Sequence, residues 1–182
     1  QSVSAPNISL PADDAAAAMH ALASHPALKG KPLGFAGISQ AGWIAPLAAQ
    51  RNPAADFLVL WSAPVCKVSE EDIFSKYTRD ADDKRVPTYR DVLAARGEKY
   101  TWPDFLGRDT DAAEDLDRIG IPGLWIFGDQ DGSIPVDLSI ERLQVLMKKG
   151  RRFDYVLVPG AGHNNMDATF SVATDWIRKF IR

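Results

Sequence analysis

This chain is poor in the residues that hold metals, form disulfides or span membranes, and each shortage removes a class of protein. One cysteine in 182 residues rules out an internal disulfide framework. That residue, Cys66, has no base beside it in sequence to activate its thiol, and we read it as a small apolar residue near a strand end. The three histidines, His20, His25 and His163, do not have metal-ligand spacing. No apolar run approaches the roughly 20 residues that a spanning helix needs, and no signal-peptide pattern is visible. No glycine-rich dinucleotide fingerprint with a downstream acid occurs, and no stretch repeats. The 21 basic residues are scattered against 24 acidic ones, for a net charge of -3. That pattern gives neither a nucleic-acid footprint nor a polybasic membrane patch. The compartment stays open.

What is present is the balance of a folded globular chain, 46% hydrophobic and 25% charged. Its length suffices for one domain with a substantial core. "PADDAAAAMHALASH" (Pro11 to His25) reads as a packed helix, with Asp13 and Asp14 suited to its first turn and Met19 and Leu22 on one face. His20 and His25 fall on its surface or at its end. "PLGFAG" (Pro32 to Gly37) is a short strand, followed by a helix to about Gln50 with Pro46 near its start. "DFLVLWSA" (Asp56 to Ala63), "GLWIFG" (Gly123 to Gly128) and "FDYVLVPG" (Phe153 to Gly160) have the apolar character of parallel strands buried on both faces. Between the last two, Ile140, Leu143, Leu146 and Met147 form a helical stripe ending near Gly150. A last helix, from about Met166 to Ile181, carries Phe170, Ala173, Ile177 and Phe180. Strand and helix alternate, which predicts an α/β fold: a parallel sheet with crossover helices on both faces.

The segment from Pro64 to Asp117 breaks this rhythm. It carries the charge run "SEEDIFSKYTRDADDKR" and the aromatics Tyr77, Tyr89, Tyr100 and Trp102 among short helical patterns. The charges read most simply as solvated helix faces. The insertion as a whole reads either as plain helical packing or as a cap over a site. The chain begins with Gln1, and "QSVSAPNISLP" reads as a loop entering mid-fold, so we expect a processed or truncated portion of a longer protein.

The chemistry lies at strand ends. "FAGISQAGW" (Phe35 to Trp43) places Ser39 between a strand and a helix. In a nucleophile elbow the turn is so sharp that residues two before and two after the serine must be small, and Gly37 and Ala41 are. A serine hydroxyl needs a base, and "VLVPGAGHNN" places His163 in a glycine-bearing loop after the last strand. A carboxylate must orient that imidazole, and "IFGDQDGSIP" supplies Asp129 and Asp131 after the preceding strand. Taken singly, Ser39 could be a helix cap, Asp131 a turn residue and His163 a satisfied loop histidine. Jointly, Ser, Asp and His each follow a different strand at its carboxyl end, where open α/β sheets build their sites.

These motifs resemble those of the α/β-hydrolase fold, and more narrowly of bacterial serine hydrolases with a "GxSQxGW" elbow, over the C-terminal two-thirds of that fold. The resemblance implies Ser39 as nucleophile, and Asp131, the second aspartate of "GDxD", as the orienting acid. It implies His163 of "GxGH" as base and the Gln40 backbone N–H as one oxyanion-hole donor, with Asp129 shaping its turn. It implies no metal or organic cofactor and a small-molecule acyl substrate. The core would comprise residues 1–63 and 118–182, and a helical cap or lid residues 64–117. The family's N-terminal strands, and the "HGxG"-like loop that gives a second oxyanion donor, have no counterpart here. Such a donor is worth about 3–4 kcal/mol of transition-state stabilisation. A sheet without those strands would expose an edge through which a second copy could pair, as a homo-oligomer or domain swap.

The leading expectation is therefore a serine hydrolase of small carboxylic esters acting through an acyl-enzyme. The same three residues suit a peptidase, a thioesterase or a cofactor-free haloperoxidase. A different class of answer is a catalytically silent fragment that self-associates through the exposed edge.

Overall fold

Two segments apolar at every position form the centre of a four-stranded parallel sheet. They are β2 (Phe57–Trp61) and β3 (Gly123–Gly128), buried along their whole length. β1 (Gly34–Ile38) and β4 (Phe153–Val158) are partly exposed and border them in the order β1-β2-β3-β4. The computed structural model describes residues 8–96 and 109–179. Tyr100, Trp102 and Phe180 lie outside the described residues.

Gly37 lies opposite Leu60, Leu60 opposite Trp125, and Trp125 opposite Tyr155. The two-residue period of a strand then divides the apolar side chains between the two faces. Leu58, Leu60, Trp125 and Phe127 share one core with Ala45, Ala49, Leu116, Leu143 and Leu146. These come from α2 (Ala41–Arg51), α5 (Ala112–Leu116) and α6 (Val136–Lys148). Phe57, Val59, Trp61, Leu124 and Ile126 share a second core with Ala173 and Trp176 of α7 (Met166–Ile177). Helices thus cover both faces, as the alternation of elements predicts. α1 (Ser9–Ala23) lies against α2, where Ala12, Ala16 and Ala48 allow close approach.

α3 (Val68–Thr78), α4 (Tyr89–Arg96) and α5 fall within the segment between β2 and β3. Its start is fastened to the core by charge. The Lys67 N–H donates to Glu70, whose carboxylate also accepts from Arg142 of α6 at 2.7 Å. Arg142 lies 3.4 Å from Asp111 as well. Cys66 is fully buried, burial pushes its thiol pKa well above the ordinary range, and its carbonyl accepts from the Trp43 indole at 2.7 Å. Among the described residues no helix is long and apolar enough to cross a membrane.

Several helix faces differ from the expected ones. α1 begins at Ser9, so Asp13 and Asp14 lie past its first turn, and Asp13 pairs with Arg51 at 2.8 Å instead. Its buried line is Ala12, Ala16 and Met19, which leaves Leu22 exposed. Pro46 lies inside α2, which continues through it. On α6 the buried line runs through Ser139, Leu143 and Leu146, and Met147 turns outward. On α7 it runs through Thr169, Ala173 and Trp176, so Phe170 is 57% exposed and stacks on Trp61 with ring centroids 6.3 Å apart. A residue adjacent to the buried line is about 100° round the helix from it, and a polar residue held by hydrogen bonds can take the inward place. Ser139 does so: its hydroxyl donates to the Pro135 carbonyl and accepts from the Val65 N–H.

Leu143→Ala should lower the unfolding free energy by about 2–5 kcal/mol, whereas Met147→Ala should cost no more than about 1 kcal/mol. Urea unfolding measures both, and equal losses would contradict this orientation of α6.

Candidate active site

The chain leaves β1 in a turn whose shape the small residues permit. Ser39 has φ 55°, in the left-handed region that a non-glycine residue rarely adopts. Its N–H donates to the Trp61 carbonyl at 3.0 Å and its carbonyl accepts from Gly42 at 2.9 Å, so the turn is pinned to the end of β2. A Cβ added at Gly37 would lie 2.5 Å from the Ala41 Cβ, which is why both flanking positions are small. One at Gly42 would lie 2.5 Å from the Pro64 carbonyl oxygen. Gln40 follows as the N-cap of α2, with its backbone N–H at a helix N-terminus that favours negative charge.

Asp131 follows β3, and its side chain is wholly buried. One carboxylate oxygen accepts from the N–H groups of Ser133 (2.8 Å) and Ile134 (3.2 Å). Both oxygens lie at hydrogen-bond distance from His163 Nδ1, at 3.0 and 2.9 Å. Asp129 is used differently, accepting the Gly160 N–H at 2.7 Å and so tying the loops after β3 and β4 together. The structure therefore joins Asp131, not Asp129, to His163. His25 accepts from the Ala27 N–H at the surface, far in role from this pair.

The loop after β4 must cross two strand ends to bring His163 toward Ser39. At Gly128 it passes so close that a Cβ would collide with the Ala161 carbonyl. At β2 it is caught by Ser62, another left-handed non-glycine residue, whose hydroxyl donates to the His163 carbonyl at 2.7 Å. Asn165 donates to the Ser62 hydroxyl and to the Gly162 carbonyl, both at 3.0 Å. Ser39 and His163 are thus anchored at successive residues of one strand end, Trp61 and Ser62.

Sequence reasoning missed Ser62, Asn165, Asp82 and Glu71. Asn165 lies within a quoted motif, but its neighbour across the fold is about a hundred positions away. Asp82 and Glu71 lie in the charge run expected to be solvated; the run is exposed from Arg79 to Arg85, whereas Glu70, Glu71 and Asp72 are partly covered. Asp82 accepts the His163 N–H, and Glu71 is partly withdrawn from water. Long-range packing, invisible in local spacing, gave both carboxylates a place beside His163: Asp82 stays exposed and Glu71 is half-buried.

Charge follows from that geometry. Burial pulls the His163 pKa down, but the Asp131 hydrogen bond, then the charges of Asp131, Asp82 and Glu71, raise it above the ordinary value. The Glu71 carboxyl is pushed up from 4.5 to about 7 by burial first and by Asp72 and Asp80 next, against the opposing pull of Ser75 and His163. Among the described residues no group of three or more His, Cys, Asp or Glu could hold a metal ion.

A left-handed serine turn after β1, an acid after β3 and a histidine after β4, on a parallel sheet covered on both faces, define the α/β-hydrolase fold. Residues 16–168 match the BAAT / acyl-CoA thioester hydrolase C-terminal family, and the chain belongs to it. No curated protein matches it in sequence. Solved structures similar to it include Porphyromonas gingivalis dipeptidyl peptidase 4, with TM-score 0.62 and 14% identity over 94% of this chain and 22% of that one. A Pyrobaculum calidifontis esterase gives 0.60 and 17% over 94% and 61%. The α/β-hydrolase enzyme MGS-MChE2, from a lagoon-sediment metagenome of Mar Chica, Morocco, gives 0.55 and 17% over 92% and 70%. The chain spans only 22% of the dipeptidyl peptidase, and likenesses at these identities establish the fold.

A carboxyl group whose folded pKa is raised binds its proton more tightly in the folded state, so ionising it destabilises the fold. For Glu71 that cost is absent below pH 4.5, grows as pH rises, and is complete above about 7. Glu71→Gln should therefore leave the urea midpoint unchanged below pH 4.5 and raise stability above pH 7, by on the order of 2 kcal/mol. A pH series of urea curves decides, and a gain that is equal at both ends would contradict the buried placement.

Proposed function

We propose that this chain carries the catalytic machinery of a serine hydrolase that cleaves small carboxylic esters, with Ser39 as nucleophile, His163 as base and Asp131 as its orienting acid. The observation that carries the reading is the Asp131–His163 hydrogen bond, made beside the same strand ends as the left-handed Ser39 turn. Bonded through Nδ1, His163 has Nε2 left to accept the Ser39 proton as Oγ attacks the ester carbonyl. The resulting oxyanion takes a hydrogen bond from the Gln40 N–H. The carbon–oxygen bond to the alcohol breaks, and His163 returns the proton to that leaving group. Water, deprotonated by His163, then attacks the acyl-Ser39 carbonyl; the acyl–Oγ bond breaks, His163 returns the proton to Ser39 and the carboxylic acid leaves. Within residues 64–117, the turn after α3 lies on the His163 loop, a contact that suits a cap over this site.

A second reading, thioester hydrolysis, is favoured by the family's description. The charge around His163 supports the oxygen ester: Asp131, Asp82 and Glu71 all act on that ring. A polyanionic coenzyme A group would approach against their field, whereas a neutral ester would not.

Two measurements check the proposal. Ser39→Ala should abolish labelling by a fluorophosphonate probe, and persistent labelling would remove the nucleophile assignment. A short-chain nitrophenyl ester should exceed the matching acyl-CoA in kcat/KM by on the order of tenfold or more, with the gap narrowing as salt rises. Faster acyl-CoA hydrolysis at every salt concentration would instead favour the thioesterase. Neither labelling nor turnover would favour a catalytically silent chain.

A further inference from the structure

The charge run "TRDADDKR" (Thr78 to Arg85) does work that its composition does not suggest. α3 ends at Thr78, and the next two residues, Arg79 (φ 61°) and Asp80 (φ 54°), are both left-handed. Two successive non-glycine residues in that region persist only where surrounding contacts hold them. Here they turn the chain back so that residues 81–83 lie across the loops that follow β3 and β4.

The contacts are dense and fall on both loops. The Thr78 hydroxyl donates to the Gly132 carbonyl. One oxygen of Asp82 accepts the Gly132 N–H at 3.2 Å, and both of its oxygens accept the His163 N–H at 3.1 Å. The Asp83 N–H donates to the Gln130 carbonyl at 3.1 Å. The approach leaves no room for side chains: a Cβ at Gly132 would collide with the Ala81 carbonyl, and one at Gly162 with the Asp82 carboxylate. Gly132 and Gly162 adjoin Asp131 and His163, so the glycines of both motifs make room for this strap.

We propose that Asp82 is a positioning residue for the acid–base pair: by accepting the N–H groups of Gly132 and His163 together, its carboxylate fixes the spacing between the loops that carry Asp131 and His163. The inference rests on the reading of Asp131 and His163 as the working pair of a hydrolase. Hydrogen bonds to an ionised acceptor are the stronger kind, and one carboxylate shared by two loops ties their backbones directly. The charged groups facing His163 are Asp131 from the loop after β3, Asp82 from the strap and Glu71 from α3. Asp82 is the one among them that reaches both loop backbones.

Two variants separate geometry from charge. Asp82→Ala removes both; Asp82→Asn keeps one acceptor oxygen and removes the charge. Asp82→Ala should lower kcat on a nitrophenyl ester by on the order of 10²-fold with little change in KM. It should also weaken or abolish the deshielded proton resonance of His163 Nδ1, while Asp82→Asn retains that resonance and loses less kcat. In both variants the His163 ring, followed by NMR in a chain with three histidines, should titrate at lower pH than in the wild type. The acid limb of kcat/KM should move with it. Asp175→Asn, an exposed partner of Arg178 on α7, serves as the charge-loss control and should change none of these. A folded Asp82→Ala protein with unchanged kcat and an unchanged Nδ1 proton would overturn the proposal. Should Asp82→Ala not fold, an unmoved His163 titration and acid limb in Asp82→Asn would overturn it. A wild-type chain without Ser39-dependent turnover, whose Nδ1 proton still responds to Asp82→Ala, would leave the positioning intact and remove the hydrolase reading instead.

Discussion

The hydrogen bond between His163 Nδ1 and the Asp131 carboxylate is the constraint on which the rest of this structure turns. It joins two loops that follow different strands, and it holds only if both backbones stand in register. Asp131 is wholly buried, so its charge must be met by partners rather than by water. The Ser133 and Ile134 N–H groups meet part of it, and the imidazole meets the rest. The same bond raises the proton affinity of His163 against the pull of burial.

Much of the surrounding fold can be understood as support for that contact. β2 and β3, buried end to end, give a rigid platform from which Ser62 and Asp131 project. Ser62 and Asn165 draw the His163 loop back across β3 toward Ser39. Close approach replaces side chains with glycine wherever two loops or a loop and a strand end cross, at Gly128, Gly132 and Gly162. At the Ser39 turn, Gly37 and Ala41 face one another at a distance that larger side chains could not share.

The parts of this arrangement legible in the sequence are those decided locally. Apolar strands, the small residues around Ser39, and a histidine and an aspartate just past strand ends are signals within a few positions of one another. Helix faces were legible only in part: Met147 and Phe170 each sit one step past a buried residue, Leu146 and Thr169, and Leu22 lies beyond the last buried residue of α1, Met19. Asp82, Ser62 and Asn165 were not legible, since the partners they reach across the fold lie 50 to 103 positions away and their own neighbourhoods read as charge or turn. The charge run is exposed from Arg79 to Arg85, but nothing in its composition encodes the left-handed pair that folds it back onto the two loops.

The most direct test of the account is the tautomer of His163, read from nitrogen–proton correlations of its ring above its titration range. A proton on Nδ1, bonded to Asp131, with Nε2 bare is the state that leaves a lone pair for the Ser39 hydroxyl, and it is the result expected. A proton on Nε2, with Nδ1 bare beside the carboxylate, would contradict the account at its centre.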